Sequence, residues 1–257
     1  HNLAVYGADL VDVQVLDRTI VDARLRARTS DDLVKQVVEH ANDRAWQVVL
    51  AGCGGPRATV LDAAEQMGEE GAGEHGIETL VVMLGSNHAL GSVVDLDPRW
   101  TTDAYGRLAS LDDRLDAKGA FTVWQPSHFA QEWARLVERI KRVRARHVIV
   151  ATVPQVTIAP IARGVAGKAR HGSRFYPYYT RPWITDEDFD VDRAPWIDAA
   201  EAQAIDSAID AFNATIIDSV RATREDRDDP RDWYVFDVGA LLDRMAFKRY
   251  LTDPATQ

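Results

Sequence analysis

A single cysteine, Cys53, stands among 257 residues, which excludes an intrachain disulfide and any cysteine-based metal cluster. Positive charge is scarce as well. Thirty Lys and Arg against forty Asp and Glu leave a formal charge of −10 and an isoelectric point near 5.2, which argues against nucleic acid or an anionic membrane surface as a partner. The one dense basic run, RIKRVRARH at 139–147, reads as the solvated end of a helix, where cations suit the dipole. No unbroken apolar run approaches the roughly 18 residues of a spanning helix, so no integral membrane segment is expected. Phosphate loops are missing too: CGGPR at 53–57 has neither the spacing nor the lysine of G-x-x-x-x-G-K-[ST]. His75, His88, His128, His171 and Asp95 follow no metal-ligand spacing, and ITDEDFDVD at 184–192 lacks the glycine and the twelfth-position acid of a calcium loop. Neither metal nor cofactor is expected.

What is present is an ordinary globular composition, 46% hydrophobic and 27% charged, on a chain long enough to bury a full core as one α/β domain. Short β-branched runs alternate with helical patterns. NLAVYGADL, WQVVLAG, ETLVVML, HVIVATVP and WYVFDV read as strands, with ETLVVML as a central one. Between them lie helices up to about Arg44 (capped by Thr29 or Ser30), over ATVLDAAEQM, over SHFAQEWARLVERIKRVRA (capped by Ser127), over 198–224 and over GALLDRMAFKRYL. The third of these places Phe129, Trp133, Leu136, Val137 and Ile140 on one face. Such alternation predicts a three-layer α/β/α sandwich around a mostly parallel sheet of about five strands. GEEGAGEHG at 68–76 reads as a surface loop, and residues 153–196 form a long insertion or lid rich in aromatic residues and proline.

Ser86, Asn87 and His88 gather where the strand ETLVVML stops. Ligands collect at the carboxyl ends of parallel strands, a carboxamide there can donate to a developing oxyanion, and a glycine gives a backbone N–H close access to the same oxygen. Gly7, at the end of NLAVYGADL, is the natural partner of Asn87.

In this context the chain resembles the SGNH hydrolase superfamily, the GDSL-type esterases and lipases. NLAVYGADL is similar to the family's glycine block, with Gly7 in the glycine position, and VVMLGSNHALG to its GxN block, with Asn87 in the asparagine position. The resemblance implies a flavodoxin-like sheet, an ester or acyl substrate of small size, no cofactor, and an oxyanion hole made of Gly7 and Asn87. No GDS occurs, and none of the seven histidines has an Asp three residues upstream. The resemblance therefore implies a central fragment, truncated at both ends, whose nucleophile serine and Asp-His pair lie elsewhere and which is inactive alone. Ser86, Ser92, Ser127 and Ser173, with His88, His128 and His171, offer no G-x-S-x-G elbow for a complete internal triad. His88 and the aromatic residues Tyr176, Tyr178, Tyr179 and Trp183 are the candidates for lining the substrate cleft, with packing of the long segment as the competing role of the rings. The alternative function is a non-catalytic small-molecule or carbohydrate-binding module on the same fold.

Overall fold

The computed structural model describes residues 2–27, 33–71, 76–167 and 173–246, with backbone alone at 33–40. Thr29, Ser30, His75, His171 and the last helix beyond residue 246 lie outside the described residues.

The chain is α/β, with two small sheets. Strands β1 (Ile77–Val82), β2 (Ala145–Ala151) and β6 (Asp232–Phe236) form a parallel sheet in the order β1-β2-β6. Strands β3 (Arg163–Val165), β4 (Tyr178–Thr180) and β5 (Ile197–Asp198) form an antiparallel one within and just after the long segment. The expected five-stranded parallel sheet is thus three-stranded among the described residues. Among the described residues ETLVVML is an edge strand rather than a central one: β1 is paired there along one side only, and Val81 and Met83 are 62% and 59% exposed.

Two expected strands take other forms. WQVVLAG is the end of helix α3 (Leu33–Leu50), which follows α1 (Asp12–Val15) and α2 (Arg18–Ala27). Trp46 and Leu50 are buried while Val48 is 75% exposed, a spacing of four that only a helix face gives. NLAVYGADL is extended and then turns at Gly7, but it pairs with no strand among the described residues. Its apolar pattern is still used, because Val5 is buried and Leu3 packs against the core. Alternation marks a segment that packs; only a neighbouring backbone makes it a strand.

Helix α4 (Val60–Glu70) begins with a reciprocal capping box between Thr59 and Asp62. After β1 come α5 (Asn87–Asp95), α6 (Asp103–Gly106), α7 (Leu111–Ala117), a 3-10 turn at Lys118–Ala120, and α8 (Pro126–Ile140). The cap of α8 is Gln125 in extended conformation, not Ser127, because Pro126 takes the first helical position, where its missing N–H costs nothing. Phe129, Trp133, Leu136, Val137 and Ile140 are all buried, as their spacing predicts. Arg139 is not simply solvated: it reaches Asp62 at 2.7 Å and Glu65 at 2.9 Å and ties α8 to α4.

Helix α9 (Ala199–Glu225) starts from a second capping box, Asp198 with Glu201, and α10 (Val238–Met245) follows β6. Phe129 stacks on Phe212 at 4.2 Å, and the Trp133 indole donates to Ser219 Oγ at 2.8 Å, so α8 and α9 pack together. On the sheet, the register sets Val81, Ile149 and Tyr234 in one row across the three strands, and Val81 and Tyr234 are exposed. A groove of about 810 Å³, lined among others by Leu3, Val5, Val60, Ala64, Leu80 and Val82, lies beside the outer edge of β1.

Candidate functional site

The carboxyl end of β1 runs through Gly85, which takes φ +124° where an added Cβ would meet Val153 at 2.5 Å. Only glycine fits this turn. The chain then enters α5 with Asn87 as its first residue, so the Asn87 side chain sits at a helix N-terminus where backbone N–H groups lack intrahelical partners.

The structure brings Asn87 to the turn that contains Gly7. Asn87 Nδ2 donates to the carbonyl oxygen of Ala8 at 2.6 Å, across 79 residues. Gly7 is exposed with φ +77°, in the left-handed region, and its N–H has no hydrogen-bond partner among the described residues. Asn42 of α3 steadies the same turn from the other side, donating from Nδ2 to the Tyr6 carbonyl at 2.6 Å.

His88 is the next residue and behaves quite differently. It is fully buried against Trp124 and Phe129, with ring centroids at 4.2 Å and 5.4 Å. Its Nδ1 lies 3.1 Å from the Gly85 carbonyl, and its Nε2 accepts the Leu10 N–H at 3.4 Å. Those partners require the neutral ring with its proton on Nδ1. Burial lowers its pKa to about 4, against the opposing pull of Asp9 and the Gly85 carbonyl. A ring so enclosed does not line an open cleft; it fastens the glycine turn to the β1–α5 junction.

A charged cluster that sequence reasoning missed adjoins the turn. Lys118 Nζ lies 2.5 Å from Asp9 Oδ2 and 2.5 Å from Asp12 Oδ1. Burial pushes the Asp9 carboxyl up, but the Lys118 ammonium outweighs it and holds the group below the usual range. Asp12 is pushed up to about 6 by burial and by the neighbouring Asp9. Deeper in, Arg114 pairs with Glu132, both almost wholly buried, and burial raises the pKa of Glu132 and of the Tyr105 phenol. Among the described residues, the buried hydroxyl of Tyr105 and Oε2 of Glu132 have no hydrogen-bond partner. Asp9 and Asp12, three residues apart, were a visible sign; Lys118, 109 residues from Asp9, was not.

The aromatic candidates are not gathered around Asn87. Tyr176 and Tyr179 are buried and meet edge to face at 5.9 Å, so they pack the long segment down. Tyr178 is half-buried against Phe189 and Trp196, and Trp183 is 74% exposed. Arg181, beside them, donates to the carbonyl oxygens of Val94 and Asp95 at the last turn of α5. That end of the nine-residue helix is about 12 Å from Asn87. Arg181 therefore anchors the aromatic part of the segment at the opposite end of α5, whereas the segment's first residue, Val153, packs against Gly85 in the turn itself.

The serine and histidine candidates for an internal triad are engaged separately. Ser92 Oγ donates to the Ala89 carbonyl at 2.5 Å, Ser173 Oγ to Phe175 at 3.2 Å, and His128 Nδ1 meets Thr101 Oγ1 at 2.8 Å. Among the described residues no serine hydroxyl bonds a histidine ring. Comparison of the chain with protein-family models, curated proteins and solved structures gives no match.

Proposed function

We propose that the chain carries the oxyanion-binding corner of an SGNH-type hydrolase acting on carboxylic ester or acyl bonds. The observation that carries this reading is the meeting of the Gly7 turn with Asn87 at the carboxyl end of β1, where the Asn87 amide bonds the Ala8 carbonyl and the Gly7 N–H has no partner among the described residues. In the reaction a serine hydroxyl attacks the acyl carbonyl and a histidine, oriented by an aspartate, takes its proton. The carbonyl oxygen gains the negative charge, and the Gly7 N–H with the second N–H of the Asn87 carboxamide stabilises it. Loss of the alcohol, returned its proton by the same histidine, leaves an acyl-serine for water to cleave. The reading assigns the serine and the Asp-His pair to polypeptide outside these 257 residues. It also expects a flavodoxin-like sheet of about five strands, and the unpaired edge of β1 with the apolar groove beside it offers room for a further strand.

The test is fluorophosphonate labelling of the protein as its gene encodes it, with p-nitrophenyl acetate turnover measured in parallel. Labelling of one serine together with ester hydrolysis is the expected result, and the 257-residue chain alone should take no label. Absence of both label and turnover in the gene-encoded protein would reject the hydrolase and favour a binding module on the same fold.

A further inference from the structure

Residues 2–10 pair with no strand among the described residues, so no ladder holds the Gly7 turn. Side chains do the holding. Asp9 is their hub: its Oδ1 accepts the N–H groups of Val11 and Asp12 at 2.9 Å each, and Asp12 Oδ2 accepts the Asp9 N–H at 3.2 Å. The remaining oxygen of each carboxylate meets the Lys118 ammonium at 2.5 Å. The lysine arrives from the 3-10 turn after α7, and the three side chains are only 13%, 8% and 16% exposed for Asp9, Asp12 and Lys118.

Two carboxylates this close and this buried repel one another unless a cation lies between them. The other charged or titratable groups facing the cluster cannot serve. His88 of α5 is neutral and already bonded on both nitrogens, Tyr105 of α6 is held in its neutral form, and Arg114 of α7 is committed to Glu132 of α8 and to the carbonyl of Leu108. Lys118 is the cation that faces both, and an ammonium with three donors can satisfy two carboxylates at once.

We propose that Lys118 is a positioning residue for the oxyanion corner: the Asp9–Lys118–Asp12 bridge fixes the backbone from Gly7 to Asp12 and thereby the direction of the Gly7 N–H. The fixing of the turn stands by itself, while its consequence for catalysis rests on the hydrolase reading. Displacing a catalytic group by about 1 Å can cost on the order of a hundredfold in rate, so a loosened turn should act on turnover rather than on ground-state binding.

The experiment pairs hydrogen exchange with kinetics on Lys118→Met. In the 257-residue chain, exchange at the amides of Asp9, Val11 and Asp12 should accelerate by at least about tenfold, while Val148 and Val150 of β2 stay unchanged. In the gene-encoded protein, kcat for p-nitrophenyl acetate should fall by about tenfold or more with KM within about threefold. Should Lys118→Met fail to fold, Lys118→Gln, which retains a neutral donor, carries the same two readouts. Unchanged exchange overturns the bridge. Faster exchange with unchanged kcat overturns the positioning role. A parent protein without esterase activity rejects the hydrolase reading, and the exchange result still decides whether Lys118 fixes the turn.

Discussion

Asn87 and Ala8, 79 residues apart, are joined by a 2.6 Å hydrogen bond from the carboxamide to the backbone carbonyl. The bond gives Asn87 a structural duty beside the proposed catalytic one, and the two separate by magnitude. Asn87→Ala should cost about 0.5–1.5 kcal/mol of stability for the lost hydrogen bond. If Asn87 also donates to the oxyanion, kcat should fall by about 10²–10³. Urea unfolding of the 257-residue chain measures the first, and ester turnover of the gene-encoded protein the second. A stability loss without a rate loss would confine Asn87 to the structural duty.

His88 and Asp12 pull the acid stability of the chain in opposite directions. The folded pKa of His88 is depressed to about 4 from 6.5, so the unfolded chain binds more protons between these values and stability rises with pH across that window. The folded pKa of Asp12 is raised to about 6 from 3.8, so the folded chain binds more protons there and stability falls as pH rises through the window. The parent should therefore vary little between pH 4 and 6.5. In Asp12→Asn the opposing contribution is gone, and stability should climb by about 3 kcal/mol over the same range. Denaturant unfolding at several pH values reads the difference, and parallel profiles for the two proteins would contradict it.

Trp46 and Val48 distinguish a helix from a strand at the end of α3. In a strand they would share a face; here Trp46 is buried and Val48 is 75% exposed. Trp46→Ala should cost about 3–5 kcal/mol, whereas Val48→Lys should stay within about 0.5 kcal/mol of the parent. Comparable losses at both positions, measured by thermal or urea unfolding, would restore the strand.

Arg114 and Glu132 form a buried ion pair between α7 and α8, with Arg135 at 3.0 Å as a more exposed second partner of the carboxylate. Removing the arginine alone strands a charge in the core. Arg114→Met should cost about 3–5 kcal/mol, and the double replacement Arg114→Met with Glu132→Leu should recover most of it. A double variant no more stable than the single one would show that the pair contributes beyond neutralising its own charges.

The features legible in the sequence are those in which cause and consequence lie within one helical turn or one strand. The stripe from Phe129 to Ile140 fixes α8, the helix expected over 198–224 is α9, and the apolar runs of β1, β2 and β6 are found where the pattern puts them. Gly7 and Asn87 could be singled out because glycine and a carboxamide in such turns have few equivalents in chemistry, and the tertiary structure bonds Asn87 to Ala8, the residue after Gly7.

Tertiary structure alone decided the rest, because the deciding partners are remote in the chain. A strand exists only when another backbone accepts its ladder, and residues 2–10 have apolar alternation without one. WQVVLAG holds β-branched residues, yet burial of Trp46 and Leu50 makes it helix. Lys118 is an unremarkable lysine in sequence; it becomes the counter-ion of Asp9 and Asp12 only when the fold brings α7 against the first turn. Composition and local period thus determined that the chain is α/β and where α8 and α9 run, but not how far α3 extends. Which segments pair, and which charges meet, followed from long-range contacts that no local pattern encodes.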